Sequence, residues 1–209
     1  MVTPVSSNTA VELCGEFDKV LRTRIGSPYV IAGMDEALAQ MQASQGSAVG
    51  PVVGYEANGG FLLGSDVLQS GRSLKALPTR DAVLPMVALL VLARQRGCKL
   101  SDLSADLPKR FTASDRLQNF ATEKSRTLLA RLQGDVVAMA QILAPDSGAV
   151  VGTNQTDGLR VSFSNGDIVH LRPSGNAPEL RCYAEAESAD VAKVLCDTCL
   201  VRVAACSLV

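Results

Sequence analysis

An Asn-Gly pair between two segments of alternating polarity constrains the fold of this chain more than any other sequence feature. Asn165 and Gly166 separate residues 159–164 (Leu-Arg-Val-Ser-Phe-Ser) from residues 167–171 (Asp-Ile-Val-His-Leu). This pattern predicts a β-hairpin, because Asn and Gly accept the positive φ that tight hairpin turns require. A third alternating segment covers residues 179–185, so this half of the chain is expected to contain an antiparallel sheet.

The turn between the second and third alternating segments has the composition of an anion site. Residues 171–181 read Leu-Arg-Pro-Ser-Gly-Asn-Ala-Pro-Glu-Leu-Arg. Guanidinium groups bind phosphate through paired hydrogen bonds, and a hydroxyl, an amide and backbone N–H groups around a sharply turning glycine add further donors. The alternative is a tight turn whose arginines are only solvated. The candidate phosphate-binding residues are Arg172, Ser174, Gly175, Asn176 and Arg181.

A second polar turn follows an apolar segment in the first half of the chain. Residues 51–55 predict a buried strand, residues 56–60 read Glu-Ala-Asn-Gly-Gly, and residues 61–63 resume the sheet. Strand, turn and helix repeat here, which predicts a parallel α/β layer with ligands at the carboxyl ends of its strands. The carboxylate of Glu56 and the amide of Asn58 suit neighbouring sugar hydroxyls. The alternative is a glycine turn with an exposed acid.

The first of these turns resembles the phosphate-binding loop in the last domain of the α-D-phosphohexomutases, the phosphomannomutase/phosphoglucomutase family. That loop has the form R-x-S-G-T-E-P followed by an R-x-Y strand, and residues 172–183 are similar to it. Asn176 stands where threonine is usual and Ala177 where glutamate is usual. The resemblance implies that this loop grips the phosphate distant from the reacting oxygen.

The other turn resembles the sugar-recognition loop, G-E-x-S-G-H, in the third domain of the same family. Residues 3–8 and 23–27 are also similar to that domain's opening strand and to its threonine-glycine loop. The alignment places Glu56 on the family glutamate, Asn58 on the serine and Gly60 on the histidine. Ser27 falls where some members use a histidine. The implied sugar-binding residues are Glu56, Asn58, Gly60 and Ser27.

The resemblance covers nearly the whole chain and implies domains three and four of a mutase. Residues 1–107 are expected to form an α/β domain with a mostly parallel sheet that recognises the sugar. Residues 108–209 are expected to form a smaller α+β domain with an antiparallel sheet that binds phosphate.

The family's reaction moves phosphate between O1 and O6 of a hexose through a hexose 1,6-bisphosphate. It needs a phosphoserine in a first domain and a Mg²⁺ site of the D-x-D-x-D kind in a second, and neither motif occurs in these residues. The chain alone is therefore expected to be inactive, with no catalytic residue or metal site of its own. Its expected partners are a phosphosugar and the missing N-terminal domains.

Two other functions fit parts of the sequence. The chain could be a stand-alone phosphosugar-binding or regulatory module, or a protein-interaction domain whose turns bind nothing. An upstream reading frame that encodes a serine loop and an acidic metal loop would favour the mutase. The agreement of two turns on one family argues against the interaction domain.

Charge and hydropathy exclude several classes of protein. The 20 basic and 21 acidic residues leave a net charge of -1, so the chain has no general field for nucleic acid or membrane. The longest apolar run, around residues 82–93, is too short to span a bilayer, and no cleavable leader is evident. A cytoplasmic protein is expected. Residues 82–96 predict a helix too hydrophobic all round to lie on the surface, resembling the family helix that packs under the sheet, with Asp81 at its start.

The cysteines and the single histidine are expected to be structural. Cys196 and Cys199 have C-x-x-C spacing but lie in residues 190–203, where apolar residues recur with helical periodicity. Buried helix cysteines are therefore expected in place of a metal or redox site. His170 alternates with apolar neighbours, which favours a role on a sheet face over a catalytic one.

The remaining pattern predicts helices and strands on either side of a boundary near residues 107–108. Helices are expected at 9–17, 29–43, 122–134, 135–143 and from about 189, strands at 18–24, 109–114 and 150–151, and a small-residue linker at 44–50.

Overall fold

The chain forms two compact units, Met1–Pro108 (unit 1) and Lys109–Val209 (unit 2). The structure is a computed structural model that describes residues 1–45 and 50–206. Each unit has its own sheet and its own hydrophobic core.

Unit 1 is built on a five-stranded sheet. Strands β1 (Val2–Pro4), β2 (Leu21–Thr23) and β3 (Val53–Tyr55) are parallel, with β1 in the middle. Strand β4 (Phe61–Leu63) runs antiparallel to β3, and β7 (Leu77–Asp81) runs antiparallel to β4. Four of the five strands therefore point the same way, which confirms the predicted α/β fold class with a mostly parallel sheet. Strands β5 (Val67–Gln69) and β6 (Arg72–Leu74) form a separate two-stranded ribbon.

Helix α2 (Ser27–Gln45) covers the sheet of unit 1. Its Val30 and Met34 are buried against Val2, Val52 and Leu62, which form the core of the unit. The helix is longer at both ends than the predicted 29–43. Most of the predicted small-residue linker, residues 46–49, lies outside the described part of the chain.

The first helix and the second strand are shorter than predicted. Helix α1 is only Ala10–Leu13, and β2 is only Leu21–Thr23. Gly15 has a φ of 71° two residues after the helix ends. A left-handed glycine of this kind stops a helix, because it turns the backbone away from the helical path.

Helix α3 (Val83–Arg96) corrects the prediction of a buried helix under the sheet. Val83, Met86 and Leu90 are 67%, 61% and 57% exposed. An apolar cavity of about 1150 Å³ lies between its inner side, which carries Leu84 and Leu92, and the sheet. Hydrophobicity around a whole helix shows that burial is favourable but not which surface provides it. A one-turn 3-10 helix, Leu100–Ser104, follows.

Asp81 has the predicted position at the start of α3. Asp81 Oδ1 accepts hydrogen bonds from the backbone N–H groups of Val83 (2.8 Å) and Leu84 (3.2 Å). The carboxylate therefore caps free N–H groups at the positive end of the helix dipole, as predicted.

Unit 2 is an antiparallel five-stranded sheet in the order β8-β12-β11-β10-β9. Its strands are β8 (Phe111–Leu117), β9 (Val150–Asn154), β10 (Leu159–Phe163), β11 (Ile168–Pro173) and β12 (Leu180–Ala186). Val161 pairs with Val169 across the hairpin, and Gly166 has a φ of 92°. The predicted hairpin and the predicted antiparallel α+β class are both confirmed.

One face of this sheet is packed against three helices. Helices α4 (Thr122–Gln133), α5 (Val136–Leu143) and α6 (Ala189–Ala205) contribute Leu128, Leu132, Leu143 and Val203 to one core with the inward side chains of the strands. Side chains alternate across a strand, so every second residue points to the opposite face. This is the helix-free face of unit 2, because the described helices of the unit all pack on the other one. Among the described residues, no helix is long and apolar enough to cross a membrane.

The C-x-x-C cysteines are buried helix residues, as predicted. Cys196 and Cys199 are both 0% exposed on the core side of α6, and Cys196 Sγ lies 3.8 Å from the carbonyl oxygen of Cys182. Hydrogen bonding to Cys182, together with burial, raises the pKa of the Cys196 thiol. A thiol that stays protonated is a poor metal ligand and a poor nucleophile.

Candidate functional site

The loop between β11 and β12 is closed by backbone hydrogen bonds. Register pairs Arg172 with Arg181 at its base, and the N–H of Ser174 donates to the carbonyl of Glu179 at 2.8 Å. The N–H of Phe120 donates to the carbonyl of Pro178 at 2.8 Å, which ties the loop to the segment before α4. The backbone of the loop is therefore held at both ends.

Ser174 makes a hydrogen bond within the loop. Ser174 is 6% exposed, and its Oγ accepts a hydrogen bond from the N–H of Asn176 at 3.4 Å. Gly175 has a φ outside the left-handed region, and no atom lies within 4 Å of the place where its Cβ would be. The chain bends at residues 175–178 without a left-handed glycine, so any glycine requirement at residue 175 does not come from backbone strain.

Arg172 is fixed by an aspartate that sequence reasoning missed. The Nε of Arg172 donates to Oδ2 of Asp157 at 2.7 Å, and both side chains are largely buried. Asp157 lies in the turn between β9 and β10, and Gly158 follows it with a φ of 90°. A Cβ on Gly158 would lie 2.2 Å from the carbonyl oxygen of Leu171. The turn can approach β11 this closely only because residue 158 is glycine.

His170 joins the same turn from the sheet face. Its Nε2 lies 2.6 Å from the carbonyl oxygen of Asp157, which makes Nε2 the protonated nitrogen because a carbonyl can only accept. The ring stacks on Tyr183 at 5.4 Å, and Nδ1 is buried with no hydrogen-bond partner in the described structure. This supports the predicted structural role of His170 on a sheet face.

Burial lowers the pKa of His170 to about 4, because a charged ring would place a second N–H at the unpartnered Nδ1. The folded pKa lies below the ordinary value of 6.5, so the stabilisation is complete above about pH 6.5 and is lost as the pH falls toward 4. We expect the stability advantage of wild type over His170→Phe to shrink by roughly 2 kcal/mol between pH 7 and pH 5. Urea unfolding followed by NMR signals of unit 2 measures it, and a gap independent of pH would contradict the prediction.

Arg181 has two neighbours that the sequence did not single out. Glu179 Oε2 lies 3.6 Å from Nη2 of Arg181, and Glu179 Oε1 lies 3.5 Å from Nε of Arg116 on β8. Arg181 Nε is buried and has no hydrogen-bond partner in the described structure. The available signal was the alternation of residues 111–117, which places Arg116 on the helix-free face once β8 is paired with β12.

The candidate sugar loop follows β3 in unit 1. The N–H of Glu56 donates to the carbonyl of Gly60 at 2.8 Å, and the N–H of Gly60 donates to Asn58 Oδ1 at 3.0 Å. Glu56 is 6% exposed, and its Oε2 has no hydrogen-bond partner within the described residues. The exposed-acid alternative for Glu56 is therefore wrong, whereas Asn58 is exposed.

Arg80, on β7, contacts this loop and was not predicted from the sequence. Its Nε lies 3.8 Å from Oε2 of Glu56, and its Cδ would be 2.8 Å from a Cβ on Gly60. A larger side chain at Gly60 would displace Arg80. The histidine of the family pattern is thus replaced by a glycine that accommodates an arginine from β7.

Ser27 lies at the same edge of the sheet as Glu56. It is the first residue of α2, it is partly buried, and it follows Gly26, whose φ is 131°. β2 and β3 flank β1 and are both parallel to it, so the loops that follow them emerge at one carboxyl edge. This is the edge at which ligands bind in open α/β sheets.

Within the described ranges, no group of three or more His, Cys, Asp or Glu side chains is placed to hold a metal ion. The residues present do not fit a Mg²⁺ site, so no step through a metal is assigned to this chain.

Two family models match the chain and together cover most of it. Residues 1–111 match "Phosphoglucomutase/phosphomannomutase, alpha/beta/alpha domain III", and residues 112–199 match "Phosphoglucomutase/phosphomannomutase, C-terminal domain". A phosphomannomutase of Salmonella muenchen is 44% identical over 200 residues, which are 96% of this chain and 40% of that protein. A phosphomannomutase of Sinorhizobium fredii is 43% identical over 195 residues, 93% of this chain and 39% of that protein. The chain therefore spans about 40% of the length of these relatives.

Solved structures have the same fold. A phosphoglucomutase/phosphomannomutase family protein of Burkholderia thailandensis matches with a TM-score of 0.64 at 17% identity, over 98% of this chain and 37% of that one. An Aspergillus fumigatus N-acetylphosphoglucosamine mutase, solved with GlcNAc-6P and magnesium, matches with a TM-score of 0.51 at 14% identity, over 97% of this chain and 40% of that one. From the two family models and the relatives, the chain belongs to the phosphoglucomutase/phosphomannomutase family, of which it contains domain III and the C-terminal domain.

Proposed function

We propose that this chain is the substrate-holding part of a phosphohexomutase that interconverts hexose 1-phosphate and hexose 6-phosphate through a bisphosphate. Unit 1 binds the sugar hydroxyls and unit 2 binds the phosphate that does not react. The observation that carries the proposal is the fixed guanidinium group at the base of the loop: Arg172, on β11 just before residues 174–179, donates to Asp157 at 2.7 Å. The match of the chain to both family domains supports it.

The loop of unit 2 and the strand ends beside it supply several donors for phosphate. Nε of Arg172 is held by Asp157, and its two terminal nitrogens are the paired donors for phosphate oxygens. The Ser174 hydroxyl, backbone N–H groups near Asn176 and the Arg181 guanidinium supplement them.

The loop of unit 1 supplies an acceptor. Glu56 Oε2 is buried with Arg80 Nε 3.8 Å away but accepts no hydrogen bond in the described structure, and a buried carboxylate oxygen of this kind gains from a ligand that donates to it. Sugar hydroxyls are such donors. The Asn58 amide and the partly buried Ser27 lie in loops at the same sheet edge and are proposed as further hydroxyl contacts.

These contacts act far from the transferring phosphoryl group. Binding energy at a remote phosphate orients the reacting hydroxyl and can raise turnover without touching the reacting atoms. The phosphoserine and the Mg²⁺ of the reaction are proposed to belong to preceding domains, since the residues described here do not fit a metal site.

The proposal is tested by titrating the chain with mannose 6-phosphate and with glucose 1-phosphate while recording amide NMR shifts. Saturable shifts at residues 172–181 and 56–60 are expected with both. Shifts confined to the phosphate loop would indicate that unit 1 does not contribute a sugar contact in this chain. Absence of saturable shifts in both loops would contradict the proposed function.

Glu56→Gln separates sugar binding from phosphate binding. We expect about tenfold weaker binding of mannose 6-phosphate, because a charge-assisted hydrogen bond to a hydroxyl is replaced by a neutral one. Binding of inorganic phosphate, which has no hydroxymethyl or ring hydroxyls, is expected to stay unchanged. Glu123→Gln, an exposed glutamate on α4, is the matched control. Equal losses for the two ligands would argue against a sugar contact at Glu56.

A further inference from the structure

Three arginines form one cross-strand row on the helix-free face of unit 2. Arg116 of β8 is paired in register with Arg181 of β12, and Arg181 is paired with Arg172 of β11. Neighbouring strands are about 4.8 Å apart, and like charges directly opposite each other destabilise a sheet. A row of three guanidinium groups therefore needs anions beside it.

Two carboxylates meet this need in different ways. Asp157 accepts a hydrogen bond from Arg172 at 2.7 Å, whereas Glu179 lies 3.5 Å from Arg116 and 3.6 Å from Arg181. The Glu179 distances are those of loose ion pairs and not of short charge-assisted hydrogen bonds. Glu179 thus partly neutralises the charges of Arg116 and Arg181, but it does not occupy their N–H groups with short hydrogen bonds.

The Glu179 side chain is 14% exposed, and its carboxylate contacts Arg116 and Arg181 as loose ion pairs, which are easier to displace than short hydrogen bonds. Its backbone is held by the hydrogen bond from Ser174 N to its carbonyl and by its own N–H, which donates to the carbonyl of Ala177 at 2.8 Å. The side chain can therefore change position while the backbone of the loop stays in place. Arg181 also has a buried Nε without a hydrogen-bond partner among the described residues, and that donor gains from an added acceptor oxygen.

We propose that Arg116 is a third phosphate-binding arginine and that Glu179 is an internal carboxylate which occupies Arg116 and Arg181 until phosphate displaces it. The inference rests on the proposed phosphate site and adds two residues to it. Phosphate oxygens replace the Glu179 carboxylate beside both guanidinium groups, and the side chain turns toward solvent. Glu179 therefore weakens the affinity for phosphate and eases its release, and Arg116 strengthens binding.

The test compares five forms of the chain by titration with inorganic phosphate, followed through the amide shifts of residues 174–179. Arg116→Ala is expected to bind about tenfold more weakly, the loss of one charge-assisted contact that is partly screened by solvent. Glu179→Gln is expected to bind about threefold more tightly. A folding defect cannot raise affinity, so this variant keeps the test valid if Arg116→Ala is destabilised.

Lys193→Ala is the charge-matched control, because it removes one positive charge from the exposed side of α6. It is expected to bind within about 1.5-fold of wild type, because α6 packs against the opposite face of the sheet from the arginine row and an exposed charge there is screened by solvent. Arg172→Ala reports on the phosphate site itself. If Arg116→Ala binds like Lys193→Ala while Arg172→Ala loses binding, the role of Arg116 is overturned and the proposed function stands. Unchanged or weaker binding by Glu179→Gln overturns the role of the carboxylate. If wild type does not bind phosphate at all, both this inference and the proposed function fail.

Discussion

Arg172→Ala is expected to weaken the binding of mannose 6-phosphate to this chain by about 100-fold, or about 2.7 kcal/mol, the effect of losing a paired charge-assisted contact in a partly buried site. Arg172 is 20% exposed, and Asp157 holds its Nε at 2.7 Å, so its donors are oriented before the ligand arrives. Isothermal titration calorimetry of the variant and of wild type measures the difference.

Asp157→Asn is the matched companion to this variant. The amide keeps an oxygen that can accept from Arg172 but removes the charge, so a smaller loss of about tenfold is expected. If Arg172→Ala binds as tightly as wild type, the loop at residues 174–179 does not bind phosphate. If Asp157→Asn is as damaging as Arg172→Ala, Asp157 does more than orient the guanidinium group.

Gly158→Ala is expected to destabilise unit 2 by about 3 kcal/mol, because it combines a strained left-handed φ with a steric clash. The φ is 90°, and the new Cβ would lie 2.2 Å from the carbonyl oxygen of Leu171, a backbone atom that cannot move without disturbing β11. Urea unfolding followed by NMR signals of unit 2 measures the change without a contribution from unit 1.

Gly152→Ala provides the control for this substitution. Gly152 lies on β9 in the same sheet, its φ is outside the left-handed region, and no atom lies within 4 Å of its missing Cβ. A change of less than about 1 kcal/mol is expected there. Equal effects at the two glycines would show that the turn around Asp157 can shift without cost, and the orientation of Arg172 would then need another explanation.

Local sequence patterns predicted the architecture of unit 2 well. The Asn-Gly pair and the alternating segments gave the β10-β11 hairpin, because turn chemistry and side-chain alternation are properties of neighbouring residues. Helices α5 and α6 begin close to where their polar residues predict: Asp135 and Ser188 accept hydrogen bonds from Ala138 N and Val191 N. Capping is equally local.

The prediction was wrong where a partner surface had to be identified. The apolar run at residues 82–96 forms a helix, but Val83, Met86 and Leu90 are exposed. Hydrophobicity measures the gain from burial, and the surface that provides it depends on where the rest of the chain lies.

The candidate site likewise has one part that could be predicted from the sequence and one part that could not. Its arginine-serine-glycine loop could be read from residues 172–181, since those residues are contiguous and their donors define the chemistry. Asp157 is 15 residues from Arg172 and Arg116 is 65 residues from Arg181, and strand pairing alone brings each pair together. Arg80 and Glu56 are joined in the same way through β7 and β4. The sequence by itself determined the donors of the phosphate loop and the strands that hold it, because these depend on neighbours along the chain. Only the tertiary structure decided which charges orient, neutralise or compete with those donors, because electrostatic interactions depend on distances in space.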